Sequence, residues 1–307
     1  MIICCGEALI DMLPRELPDG SPVFMPVAGG AVFNTAIALG RLGEETGFFS
    51  GISTDVMGET LIHALEASKV DHSPCTRSAR PTTLAFVTLK DGHAEYAFYD
   101  EMTAGRMLDP KALPEIGNTV DAMHFGAISL ISEPCGSAYE ALALREAPNR
   151  VISLDPNIRA GFVTDVIAYR ARLERMLAVA DIIKVSDDDL AWLAPGEEFA
   201  DWAGNWLGKS AAIVVLTRGS KGALALTRSG EVTVPAIPTQ VVDTVGAGDT
   251  FNAGLLAGIR RAGHLSRSGL ASLPGEALET ALNLAVRTAA VTVSRAGANP
   301  PWAHELT

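Results

Sequence analysis

Cysteine, positive charge and long apolar runs are all scarce in this sequence, and each shortage removes a class of protein. The 307 residues contain only Cys4, Cys5, Cys75 and Cys135, which show neither zinc-type spacing nor a disulfide framework. Cys4 and Cys5 fall inside an apolar strand pattern and are expected to be buried filler. Lys and Arg number 24 against 36 Asp and Glu, and the net charge of −12 disfavours nucleic acid and anionic membrane as partners. A polyanionic substrate must then be held by local donors against the overall field. No apolar run approaches the roughly 18 residues of a membrane helix, and no basic region precedes the short apolar start. A soluble protein of the reducing cytoplasm is expected. Charged residues are only 20% of the chain and hydrophobic ones 48%, so it can bury a large core and is not disordered.

What is present is an alternation of strand and helix patterns, on a length that suits one large α/β domain with an appendage. Strands are expected at residues 1–5, 48–52, 122–125, 151–154, 181–185 and 211–216, with two more at 222–227 and 231–234. Helices are expected at 58–70, 137–146 and 166–178, and an alanine-rich one at 276–293. Another opens at Gly29-Gly30, runs through Asn34 and ends at Gly43. One segment breaks the alternation. Residues 83–89, then Asp91-Gly92, then 95–99 read as a β-hairpin on an Asp-Gly turn, with Phe86, Tyr96 and Phe98 available to cover a ligand or pack a small sheet. No internal repeat, low-complexity segment or linker is visible.

The chemistry concentrates at Asp243-Thr244-Val245-Gly246-Ala247-Gly248-Asp249-Thr250-Phe251. An apolar, small-residue helix pattern follows it, so Gly246-Ala247-Gly248 falls where a loop becomes a helix. There the first N–H groups lack partners and the helix dipole favours an anion. Asp249 projects beside them, and donors so close should keep it ionised at neutral pH, as a general base for a hydroxyl requires. Alone, the same residues equally suit a helix cap. Asp11 lies just past the first strand, near a sheet edge where ligands collect. The glycine pair Gly29-Gly30 allows close backbone approach, and Asn34 adds a donor and an acceptor one turn later. Asp155-Pro156-Asn157-Ile158-Arg159 forms a strand-end loop that can present Asn157 and Arg159. Ser186-Asp187-Asp188-Asp189 most simply caps a short helix. The turn from Thr217 through Gly219 to Gly222 resembles a phosphate-contacting loop without Walker A spacing.

Together, Gly29-Gly30-x-x-x-Asn34 with Leu42-Gly43, and Asp243-Thr244-x-Gly246-Ala247-Gly248-Asp249-Thr250-Phe251, resemble the two signatures of the ribokinase-like (PfkB-type) carbohydrate kinases. Each part is common, but their order and separation are specific. The resemblance implies one three-layer α/β/α domain over residues 1–307, with a mostly parallel sheet and a small β lid from about 82–100 and parts of 12–28. It implies ATP-dependent phosphorylation of a primary alcohol, with Mg2+ and in many members K+. On that resemblance Asp249 is the catalytic base and Gly246, Ala247 and Gly248 form the anion hole. Asp11, Gly29, Gly30, Asn34, Phe98 and Arg159 then hold or cover the sugar. Asn157, Lys184, Thr217, Gly219 and Gly222 face the nucleotide, and Asp243 lies near a monovalent-cation loop. One departure concerns magnesium. Where the family commonly has Asn-x-x-Glu, this chain has Ser186 and Asp189, so Asp189 is the expected link to Mg2+ through water.

Within the family, the stretch from Gly6 to Asp11 and the 155–159 loop look most like bacterial fructokinases, which implies fructose as the acceptor. Ribokinases and 2-keto-3-deoxygluconate kinases share much of this pattern. A sugar-binding regulator that lost its chemistry is the reading from another class, and an intact Asp249 argues against it. Small sugar and ATP are the expected partners, with neither nucleic acid nor membrane, and a homodimer through the lid is compatible with its aromatics.

Overall fold

The computed structural model describes residues 1–90 and 93–306, the side chains of 88–96 excepted. Asp91-Gly92 and the Tyr96 side chain therefore lie outside the described residues. A nine-stranded sheet forms the centre. Val70–Asp71, Thr46–Phe49, Ile2–Cys5, Ala122–Gly126, Val151–Asp155, Ile182–Ser186 and Ile213–Thr217 lie side by side in that order, all parallel. Ala223–Thr227 and Gly230–Val234 complete it antiparallel.

The parallel strands are apolar throughout because both faces are covered, and successive side chains serve opposite layers. Ile2 and Cys4 join one core, with the helices Ala31–Arg41, Ala247–Arg261 and Gly275–Val293. Ile3 and Cys5 join the other, under Cys135–Glu146, Val166–Leu177 and Phe199–Leu207. The helix after Asp249 packs closely on Gly275–Val293 as well as on the sheet. A Cβ on Gly254 or Gly258 would lie 2.6 or 2.5 Å from the Cα of Ala285 or Ala281, so glycine there sets the approach.

From Ile2–Cys5 the chain steps outward through 46–49 to 70–71, then returns to the other side at Ala122–Gly126. The strand order thus reverses between Ile2–Cys5 and Ala122–Gly126, where open α/β sheets leave a crevice at the strands' carboxyl ends. A second sheet of four strands stands over that end, in the order Pro22–Gly29, Leu9–Glu16, Leu84–Lys90, His93–Tyr99. Leu17, Phe24, Met25 and Tyr99 remain exposed on or beside it.

Three elements differ from the sequence expectation. Asp11, expected just past the first strand, is the third residue of a second strand, which belongs to the smaller sheet and pairs it across from Val27. Residues 48–52 split at Ser50, the first part entering the main sheet and Gly51–Ser53 pairing with Thr76–Ser78. The helix Phe199–Leu207 was not foreseen. Its apolar residues, Phe199, Trp202 and Leu207, are spread among glycine, asparagine and alanine. No helix among the described residues is long and apolar enough to cross a membrane.

Candidate active site

The helix Ala247–Arg261 begins at Gly246, whose φ of +78° only glycine adopts without strain. Its first full-turn bond runs from Thr250 N to Gly246 O at 2.9 Å, so the N–H groups of Gly248 and Asp249 precede the ladder. Ala247 N–H donates back to Thr244 O at 3.3 Å. Asp249 is buried at 6% exposure. Its Oδ2 accepts from Asn34 Nδ2 at 2.9 Å, and its carbonyl accepts from Thr35 Oγ1 at 3.1 Å. The helices that open at Gly30 and Gly246 are thereby locked together at their N-terminal turns.

Burial pushes the Asp249 carboxyl up to about 7; Asn34's hydrogen bond and Lys184's charge oppose this, while Asp155 and Glu7 add to it. The expectation of a carboxylate fully ionised at neutral pH is thus corrected. Desolvation outweighs the donors, and the group is poised near its midpoint, which suits a general base.

Asp249 and Asn34 line a cavity of about 360 Å³ together with Asp11 and Gly30. Burial also raises Asp11, to about 6. Gly30 has φ +112°, and a Cβ there would lie 2.7 Å from Glu7 O. Gly29 does not line the cavity but backs Asp11, since its Cβ would fall 2.3 Å from Asp11 Oδ2.

Glu7 was missed by the sequence reading. One of its carboxylate oxygens accepts from Ala31 N at 2.7 Å and Val32 N at 3.4 Å, and the other from Ser129 N at 3.3 Å. It pins the glycine turn to the loop beyond Ala122–Gly126, and burial raises it to about 7. A carboxylate two residues past a buried strand was the available signal.

The loop after Val151–Asp155 closes the cavity. Asn157 adopts φ +40°, and its Oδ1 accepts from Arg159 Nη1 at 2.7 Å, aligning both side chains at the rim. Phe98 crosses from the smaller sheet to meet Phe162 edge-on, ring centroids 4.6 Å apart. An apolar cleft of about 610 Å³ adjoins, lined by Thr217, Gly219 and Gly222, and it shares Ala247 and Gly248 with the cavity.

Three predicted residues point elsewhere. Asp243 spends its oxygens on Val245 N at 3.0 Å and Gly297 N at 2.9 Å, shaping the turn into Gly246. Lys184 is buried behind that turn, its Nζ 3.0 Å from Asp155 Oδ2. Asp189 caps its own helix by accepting from Ser186 N and Oγ at 2.8 and 2.7 Å, and its other oxygen takes Ile158 N at 2.7 Å. Both Asp189 oxygens are committed, and no group of three or more His, Cys, Asp or Glu among the described residues is placed to hold a metal. The described residues therefore form no direct multi-ligand metal cage, and the link from Asp189 through water stays an expectation.

A base at the junction of a sugar-sized polar cavity and a larger apolar cleft, with helix N–H groups at the same junction, suits phosphoryl transfer to an alcohol. The comparisons agree. The pfkB family carbohydrate kinase pattern matches residues 1–305. A fructokinase of Rhizobium leguminosarum bv. trifolii is 55% identical over 278 residues, 91% of this chain and 85% of that one. Fructokinase-2 of Zea mays is 33% identical over 312 residues, 98% and 90% of the two chains. The crystal structure of a Xylella fastidiosa fructokinase with bound ATP superposes with a TM-score of 0.91 at 26% identity, over 99% of this chain and 97% of that one. With a whole-length match and this degree of likeness, the chain belongs to the pfkB family of carbohydrate kinases and has its ribokinase-like fold.

Proposed function

We propose that this chain transfers the γ-phosphoryl group of ATP to the primary hydroxyl of fructose, giving fructose 6-phosphate and ADP. The observation that carries the reading is Asp249, fixed by Asn34 where the small polar cavity opens into the cleft. The sugar hydroxyl gives its proton to Asp249, its oxygen forms the new bond to phosphorus, and the β–γ bridging oxygen leaves with ADP. The first-turn N–H groups of Gly248 and Asp249 face the charge on the transferring group. A magnesium ion bound with ATP would supply positive charge at the phosphates, with Asp189 the residue that would reach it through water.

A neutral acceptor suits the cavity. Glu7, Asp11 and Asp249 line it against one guanidinium, Arg159, which is already turned to Asn157. A sugar acid would face uncompensated like charge. In an ATP-consumption assay, fructose is expected to give a higher kcat/KM than ribose or 2-keto-3-deoxygluconate. A higher value for the acid would overturn the substrate reading, and no turnover with any sugar would favour a silent binding protein.

We also propose that the four-stranded sheet acts as a lid, since Phe98 reaches the cavity from its edge strand. Saturating fructose is expected to slow amide exchange in Leu84–Lys90 and His93–Tyr99 more than in Gly275–Val293. Exchange in the two strands that ignores the sugar would remove the lid.

A further inference from the structure

Among the described residues, Lys184 is the cation in a buried cluster of carboxylates behind the anion-binding turn. Its side chain is 5% exposed, and its Nζ lies 3.1 Å from where a Cβ on Gly248 would be. Its hydrogen bond goes to Asp155 Oδ2, which opposes its charge but also accepts from Asn252 Nδ2 at 2.7 Å. The other Asp155 oxygen is buried without a partner, so the pair is not arranged for the best possible neutralisation of Asp155. Placing an ammonium here has a desolvation cost that a structural ion pair need not repay.

We propose that Lys184 is a positioning residue for phosphoryl transfer, a fixed positive charge behind the Gly246–Gly248 turn that favours the anionic forms of Asp249 and of the transferring group. It does so without touching the nucleotide. The proposal rests on the kinase reading above and assigns Lys184 a different task from the nucleotide contact that the sequence suggests. The geometry is one-sided: Gly248 separates the ammonium from the cleft, and any side chain on Gly248 would crowd it.

The groups facing Asp249 are few. Asn34 donates to it from the helix Ala31–Arg41; Glu7 approaches from beyond Ile2–Cys5, Asp155 ends Val151–Asp155, and Lys184 lies on Ile182–Ser186. Asp11 and Arg159 line the same cavity. His124, near Lys184 on Ala122–Gly126, is held neutral by burial and that cation, down to about 3. Lys184 itself keeps its proton, since Asp155, Asp189 and Asp249 together outweigh the penalty of burial. Its charge lowers Asp249, and Asp155 acts in the opposite sense.

The test compares Lys184→Met with Asp155→Asn. A neighbouring charge within a few ångströms moves a carboxyl by about 1–3 pH units. In Lys184→Met the acid limb of the kcat profile is expected to move up by about one unit or more, with the KM for ATP little changed. In Asp155→Asn, which leaves the ammonium unopposed, the limb is expected to move down. An unchanged midpoint in folded Lys184→Met, or a raised KM for ATP at an unchanged midpoint, overturns the proposal. Should Lys184→Met fail to fold, an unmoved midpoint in Asp155→Asn does the same. A carbon-13 titration of the Asp249 carboxyl in each variant reads the same shift without turnover. A wild type that consumes no ATP with sugar would thus sink the kinase reading, while the carbon-13 titration would still decide whether Lys184 favours the anionic form of Asp249.

Discussion

Asp249→Asn is expected to cut turnover by about 10²–10⁴-fold while making the protein more stable. The first effect follows from general-base catalysis, which contributes roughly that factor, or about 3–5 kcal/mol of barrier. Asparagine can still accept from Asn34 through its amide oxygen, so the shape of the site survives. The second effect follows from linkage. The folded carboxyl titrates at about 7 against an ordinary 3.8, so the native state binds its proton more tightly than the unfolded chain. Its relative stabilisation is full below 3.8 and is lost as pH rises through 7. Above that, ionised Asp249 costs on the order of 2–4 kcal/mol, a cost that a neutral amide avoids. A simple helix-capping role predicts the reverse, with near-normal turnover and a loss of about 0.5–2 kcal/mol. Turnover and Tm at pH 8 on one preparation separate the two. The wild-type profile adds a check, since kcat should fall as pH drops through about 7 and the base takes up its proton. Near-normal turnover in the folded variant would overturn the mechanism.

The part of this site that depends on backbone geometry was legible in the sequence. Gly246, Gly30 and Asn34 adopt the loop-to-helix positions their residue types suggest, because positive φ and close approach leave few alternatives. Long-range electrostatics was not legible. Nothing near Asp249 in the chain shows that Asn34, Asp155 and Lys184 enclose it and that burial decides its protonation. Asp189 is similar: spacing made it a candidate for magnesium through water, but nothing in the chain shows that one of its oxygens also accepts from Ile158 N, brought over from the neighbouring strand end. Asp11 was read as lying just past the first strand near a sheet edge; that it sits within a strand held extended to Glu16 by pairing with Pro22–Gly29 was not visible. Pairing of that kind is a tertiary fact.

Asp11→Ala is expected to lower kcat/KM for fructose by about 10- to 150-fold, mostly through the KM for sugar, with the KM for ATP nearly unchanged. A hydrogen bond to a charged acceptor contributes about 1.5–3 kcal/mol, and each 1.4 kcal/mol is about a factor of ten. The structure adds two signatures that a merely structural Asp11 would lack. Burial holds its carboxyl near 6, so in wild type the KM for sugar should climb as pH falls below about 6 and the acceptor is protonated. Gly29 lies against its Oδ2, with room for no Cβ beyond 2.3 Å, so Gly29→Ala must displace the carboxylate and should reproduce the sugar defect without altering the nucleotide cleft. The two substitutions act on one group, so the double variant should be little worse than either single one, whereas independent sites would add. Equal loss of sugar and ATP binding in Asp11→Ala, or full additivity with Gly29→Ala, would show that Asp11 supports the smaller sheet instead of the substrate.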